Sequence, residues 1–249
     1  MVDSLSAAEE PLFVSNQLYR VGGAAAFLAA VLALAQITIE VIGVGVMGVP
    51  VPTSVDGWFA LLRSYPLLGL TELTMFQIPV FVLLVPVLLA VSAANRPNRG
   101  LTLVALALAL VGIAVYLASN TVFSMLSLSG QYAAATTDAQ KTSLLAAGQA
   151  MLAIYEGVGV DVGLVLVLVA VLMISVLMLR SSVFGRMTAY IGILAGAITM
   201  SYYISAAFTP AAIFLLEGAG LFLVVWVILV GRRLYQLGSH PRGGKSQIQ

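Results

Sequence analysis

Long apolar runs separated by short polar stretches dominate this chain. Six of them, near residues 18–47, 70–93, 101–125, 159–179, 187–208 and 211–231, are long enough to cross a hydrocarbon core, which takes about 20 residues of helix. The pattern predicts an all-α, polytopic integral membrane bundle of six transmembrane helices. Arg20 precedes the first apolar run as it would in a secretory signal, but the run is too long for a signal core and lacks a small-residue cleavage site, so it reads as a retained helix. Pro79 and Pro86 predict kinks in the second helix, which membrane helices tolerate.

Two connections are long. Residues 49–66 hold Pro50, Pro52, Trp58 and Tyr65, with Ser54 or Asp56 placed to cap a short helix. The aromatics suit the headgroup level, so an interfacial helix is expected there rather than an ordered lid. In the other connection, Thr136 or Thr137 can cap a helix whose apolar residues Leu144, Leu145, Met151, Leu152 and Tyr155 recur at helical spacing. It is expected to lie along the outer surface. A straight helix over 138–179 would run about 60 Å, twice the hydrocarbon thickness, so a bend is expected at Gly157, Gly159 or Gly163. The spacing of Gly159 and Gly163 also suits close helix packing.

Composition agrees with the pattern. At 61% hydrophobic and 8% charged, with mean hydropathy +1.08, the 249 residues have too little polar surface to cover a soluble globule. The lipid bilayer is the expected partner, and a nucleic-acid ligand is not. With no cysteine, disulfides and thiolate sites are excluded, and the single histidine, His240, falls in the polar tail. The division is an N-terminal segment 1–17, a six-helix domain 18–237, and a tail 238–249 whose small polar residues predict disorder.

Charge orients the bundle. With six spans, both termini share a side with the loops at 94–100 and 180–186. That side holds Arg20, Arg96, Arg99, Arg180, Arg186, Arg232, Arg233, Arg242 and Lys245, nine of the eleven basic residues, leaving only Arg63 and Lys141 opposite. The positive-inside rule then makes both termini cytoplasmic, in a cell membrane.

Five of the ten carboxylates, Glu40, Glu72, Glu156, Asp161 and Glu217, lie inside or at the ends of apolar segments without Lys, Arg or His. Acids at such positions usually face a bundle interior or a water-filled space, which makes them candidates for a site. At a rise of about 1.5 Å per residue, Glu40 is about 30 Å from Arg20, Asp161 about 28 Å from Arg180 and Glu217 about 22 Å from Arg232, while Glu72 and Glu156 fall near the outer boundary. All five occupy the outer half. Gln36 lies one turn from Glu40, Tyr116, Asn120 and Ser124 follow at four-residue steps on one predicted face, and the fifth helix carries Ser201, Tyr202, Tyr203 and Ser205. The cytoplasmic halves are almost purely apolar. An outward-facing acidic cavity above a closed apolar floor is the expectation, with Glu40, Glu217, Asp161, Glu72, Glu156, Gln36, Asn120 and Tyr202 as lining candidates.

Acids without basic neighbours in the membrane must be protonated, hydrated or neutralised by something cationic, so a proton, an inorganic cation or a small amine is the expected ligand. Oxygen-only ligands favour a hard cation, and no cofactor is implied. The competing reading is a structural or partner-binding subunit in which Glu40 and Glu217 are protonated packing groups and Glu72 and Glu156 are solvated helix ends. Catalysis is not expected. Gly243-Gly244-Lys245-Ser246 resembles the end of a phosphate-binding loop, but position 239 is serine and no strand precedes it. Gly157-Val-Gly-Val-Asp161 lacks the second intramembrane aspartate that an aspartyl protease needs. A third reading, intramembrane hydrolysis by paired carboxyls, requires two of them within about 5–10 Å with room for water.

Several short motifs carry a family likeness. Leu70-Thr-Glu72 opens a helix that ends Val85-Pro86-Val-Leu, Phe184-Gly-Arg186 leads into a helix with Gly192 and Gly196, and Leu216-Glu217 is followed by Trp226 and Gly231-Arg232. In these the chain resembles, from about Tyr19 to Leu237, the prokaryotic six-helix membrane family catalogued as domain of unknown function 4386. The resemblance implies six helices with both ends inside, and Glu72 and Glu217 match acids of its second and sixth helices. Helix 3 departs from the likeness: an Arg and a Glu common in its first half are replaced by the apolar run Val104–Leu110. The family has no assigned activity, so the likeness adds architecture and no chemistry.

Overall fold

A computed structural model describes residues 16–95, 99–206, 208–209 and 213–239, without the side chains of residues 213, 214, 216 and 217. The predicted disordered tail, apart from its first residues, the N-terminal segment up to residue 15, and His240 lie outside the described residues. The described chain is all helical, with no strand. Ten α-helices follow in order: α1 (Asn16–Glu40), α2 (Val55–Ser64), α3 (Pro66–Glu72), α4 (Gln77–Ala94), α5 (Arg99–Ser119), α6 (Val122–Ala134), α7 (Asp138–Tyr155), α8 (Val158–Met178), α9 (Arg186–Ser205) and α10 (Ile213–Ser239). A π-helical turn, Val41–Val46, extends α1.

Six of the helical segments are long and apolar enough to cross a membrane, as the hydrophobic pattern predicts. They carry apolar residues on every side, which a soluble surface helix would not. Outward faces present Val21, Leu28, Val31, Val104 and Val111, surface that suits lipid. The inward faces build one core from all six spans, with Trp226, Tyr116, Ile174, Met178 and Leu234 almost fully enclosed.

The spans stand in chain order around a ring. α1 packs on α4 and α10, α10 on α9, α9 on α8, α8 on α5, and α5 on α4, the last contact being less extensive than the others. Small residues let the backbones approach, as in many membrane helix pairs. A Cβ on Gly112 would come 2.7 Å from the Gly163 carbonyl oxygen, and one on Gly163 would come 2.9 Å from the Gly112 carbonyl oxygen. The crossing of α5 and α8 therefore has no room for a side chain on either strand of contact. Gly22 faces Ala90 and the Pro86 carbonyl on α4, while Gly23 faces Gly231 and Tyr235 on α10. The close packing expected of Gly159 and Gly163 is thus a contact with α5, where Gly159 meets Ser119 and Gly163 meets Tyr116.

Two predicted helices are interrupted. The second, expected as one helix over 70–93, is α3 and α4 separated by a turn at 73–76. Pro79 sits in the first turn of α4, where a missing N–H costs nothing, and cannot sit deeper in a helix without losing a hydrogen bond. The third, expected over 101–125, stops at Ser119 and resumes at Val122. Asn120 Oδ1 accepts from the Val122 N–H at 3.1 Å, so the side chain replaces the helical partner of that group. This break also removes Ser124 from the predicted face: it lies exposed on α6, beyond the change of direction.

The long connections hold the expected short helices, α2 and α7, and these pack together with α3 and α6 as a folded cap. Trp58, Phe59 and Leu62 of α2 pack with Leu68 and Leu73, with Val122 and Met125 of α6, and with Leu152 of α7 in a second core. Burying each of these large side chains contributes about 2 kcal/mol. α6 and α7 pack on each other and supply a protein surface for Trp58 and Phe59. The apolar face of α7 is used in the same way, through Leu145, Met151, Leu152 and Tyr155. Thr137 begins α7 with a reciprocal capping box to Gln140, as its spacing suggests. The bend falls at Glu156 and Gly157, where an extended backbone separates α7 from α8.

Candidate functional site

Three chain breaks converge beneath the cap. In the turn between α3 and α4, Thr74 adopts φ 57°, a left-handed conformation that costs a β-branched residue on the order of 1–2 kcal/mol. Its hydroxyl oxygen is the meeting point: Tyr116 Oη donates to Thr74 Oγ1 at 2.7 Å, Asn120 Nδ2 donates to it at 3.2 Å, and Tyr155 Oη lies 3.4 Å away. Tyr155 Oη also donates to the Glu72 carbonyl oxygen at 3.2 Å. Thr121 Oγ1, in the α5–α6 break, donates to the Met151 carbonyl oxygen at 3.0 Å. Irregular backbone at membrane depth is tolerated where protein buries it and supplies hydrogen bonds, and these bonds meet that need. Tyr116, 1% exposed, is further held by an edge contact with Phe81, ring centroids 4.5 Å apart.

The acids sit at or next to the same breaks. Glu40 ends α1 where the π-turn begins, Glu72 ends α3, Glu156 lies between α7 and α8, and Asp161 is in the first turn of α8. Glu72 reaches this cluster through its backbone carbonyl, which accepts from Tyr155 Oη. Gln36 Nε2 donates to Glu40 Oε1 at 2.9 Å. Gln36 is buried, and its own Oε1 has no hydrogen-bond partner among the described residues.

Asp161 belongs to a neighbouring group. Its Oδ1 is 3.4 Å from Tyr203 Oη, a long contact, and Tyr203 makes an edge contact with Tyr202 at 5.0 Å between ring centroids. Asp161 is exposed, and the favourable field at the start of α8 is by itself a sufficient reason for an acid there. Glu156 is likewise exposed. Glu217 lies on the backbone of α10, and its side chain is outside the described residues.

Two shallow surface depressions flank the cap, of about 400 Å³ beside Gln131, Thr136 and Gln140 and about 460 Å³ beside Pro52, Gly57 and Tyr65. Neither is lined by any of the five acids, Gln36, Asn120 or Tyr202. Among the described residues no group of three or more His, Cys, Asp or Glu side chains could hold a metal ion. The polar side chains are packed against one another below the cap, and the groups that hold the cluster together are Thr74, Tyr116 and Tyr155. Thr74 and Tyr155 were missed as site residues in sequence: a threonine in an apolar region is unremarkable, and Tyr155 reads as part of an apolar helix face. The polar interruption Thr71-Glu72-Leu73-Thr74 between two apolar runs is the signal that could have marked the junction.

The fold and composition define a multi-pass, helical, integral membrane protein with a folded cap on one end of the bundle. No family model, curated protein or solved structure matches the chain.

Proposed function

We propose that this protein is a non-enzymatic membrane protein that binds a proton, a cation or a small amine at the junction of Gln36, Glu40, Glu72 and Thr74, coupled to transport or sensing. Gln36 carries the proposal. A buried amide that donates to a carboxylate while its own oxygen stays unpartnered leaves an excess of acceptors, and a buried acceptor without a donor costs about 1–3 kcal/mol. A cationic donor satisfies both oxygens. Broken helices with polar groups at the break are also where membrane transporters commonly hold ions and substrates. The outward-facing cavity and the part played by Asp161, Glu156, Glu217, Asn120 and Tyr202 belong to the same proposal, as do a cell-membrane location with cytoplasmic termini and the six-helix family likeness.

The test is thermal unfolding of the purified protein across pH and in sodium, potassium and a small primary amine. The expected result is a cation- or pH-dependent rise in Tm that disappears in the Glu40→Gln, Glu217→Gln double variant. A response unchanged in that variant overturns the proposal.

The second reading, a structural or partner-binding subunit, is favoured by a different observation: Tyr116, Asn120 and Tyr155 already bond to Thr74, and neither depression beside the cap is lined by an acid. It predicts that Glu40→Gln leaves Tm insensitive to every cation and as high as in the unaltered protein.

A further inference from the structure

The end of the bundle opposite the cap carries a second feature. Among the described residues it presents Arg20, Arg99, Arg180, Arg186, Arg232 and Arg233 and no lysine, while every described acidic residue, from Glu40 to Glu217, lies in the opposite half of its span or in the cap. Topology alone would be served equally by lysine. Guanidinium differs in offering a planar, bidentate fork that matches phosphate oxygens.

Four of these arginines lie on the α8–α9 turn, at its edges, or on the stretch of α10 tied to it. The turn between α8 and α9 is short, its Phe184 is buried in the membrane core, and its Val183 N–H donates to Ser181 Oγ at 3.1 Å. Arg233 of α10 donates through Nε to the Val183 carbonyl oxygen, which ties the turn to the last helix. Arg180 and Arg186 flank this turn and Arg232 adjoins Arg233, all three being exposed. The first turn of α9 contains no acid to compensate Arg186. Three exposed arginines thus lie on or next to a turn and a helix segment that are tied to each other, at the end of the spans, and basic corners between membrane helices are suited to anionic headgroups.

We propose that the corner formed by Arg180, Arg186, Arg232 and Arg233 seats the phosphodiester headgroup of an anionic phospholipid. Arg180, Arg186 and Arg232 contact the phosphate, and Arg233, already committed to Val183, is a positioning residue that fixes the turn. Lipid chains then lie against the apolar outer faces of α8, α9 and α10, where Val176, Met187, Tyr190 and Val225 are exposed.

The experiment is thermal unfolding in nanodiscs of phosphatidylcholine alone and of phosphatidylcholine with phosphatidylglycerol. For the unaltered protein, phosphatidylglycerol raises Tm by about 5 °C or more, as several basic residues at an anionic surface would. The rise falls by more than half in Arg180→Gln, Arg186→Gln, Arg232→Gln, and is retained in Arg20→Gln, Arg99→Gln, which removes charge from the same end but not from the corner. Equal losses in both variants overturn the site in favour of diffuse surface attraction. Inorganic phosphate reproducing the rise in phosphatidylcholine discs overturns the lipid in favour of a free-anion site. Should the triple variant not fold, native mass spectrometry of the unaltered protein decides: phosphatidylglycerol retained in preference to phosphatidylcholine at equal abundance supports the seat, and equal retention overturns it.

Discussion

Tyr116 and Thr74, 42 residues apart in sequence, are joined by a 2.7 Å hydrogen bond that ties the third span to the break at the start of the second. Around that bond, Asn120 and Tyr155 reach the same hydroxyl, so one threonine in a left-handed conformation links α4, α5 and α7. Tyr116→Phe removes one donor and is expected to cost about 1 kcal/mol of stability. Thr74→Val keeps the strain and strands the Tyr116 and Asn120 donors, while Tyr155 keeps the Glu72 carbonyl, so its cost is larger, on the order of 2–4 kcal/mol. Thermal unfolding of the two variants in one detergent gives the order.

The crossing of α5 and α8 leaves no space at Gly112 or Gly163. Alanine at either position pushes two backbones apart and is expected to cost about 1–3 kcal/mol. Gly130 on α6 has nothing within 4 Å of a built Cβ, and there alanine reverses the sign, adding about 0.5–1 kcal/mol through helix propensity. A denaturant titration of the three variants that shows the same sign throughout would contradict this packing.

The cap has a core of its own, so its loss is separable from loss of the bundle. Trp58→Ala is expected to destabilise the cap by about 3–5 kcal/mol while the six spans stay assembled. Hydrogen exchange then accelerates across 55–72 and 122–155 and not across 164–178; acceleration in both regions would mean the two cores unfold together.

Asp56, exposed at the start of α2, is the acid whose titration the cap controls. The Ser54 side chain, joined by the backbone N–H groups of Asp56 and Gly57, holds its carboxyl below the ordinary value of 3.8. A lowered folded pKa means that the ionised form favours the folded state: the contribution is complete above the unfolded value and is lost as pH falls through the folded one. Carboxyl-carbon NMR should therefore place the Asp56 midpoint under 3.8, and Ser54→Ala should move it upward.

What could be read in sequence, and what could not, divides at the membrane boundary. Within the bilayer, length and hydropathy decide, and six long apolar helical segments appear, the second beginning only at Gln77 and the sixth running on to Ser239; the α7–α8 bend falls at the expected Gly157. Outside it, side-chain partners decide. Trp58 and Tyr65 look alike as interfacial aromatics, yet Trp58 is buried under α6 and Tyr65 is exposed. The face drawn through Tyr116, Asn120 and Ser124 held for its first two members, which both reach Thr74, and failed at the third because Asn120 ends the helix that the periodicity assumed. The carboxylates gave no indication that a threonine, Thr74, would be the centre of the hydrogen bonds at the breaks.

Because the spans follow one another around the ring, nearly every helix emerging from the ribosome meets a neighbour made just before it. The exception is the seam between α1 and α10, where Gly23 must wait for Gly231 and Tyr235 at the far end of the chain. Until the last helix is inserted, the small-residue face of the first stays open in the bilayer. A prematurely terminated chain thus displays an unmatched glycine groove on its first helix.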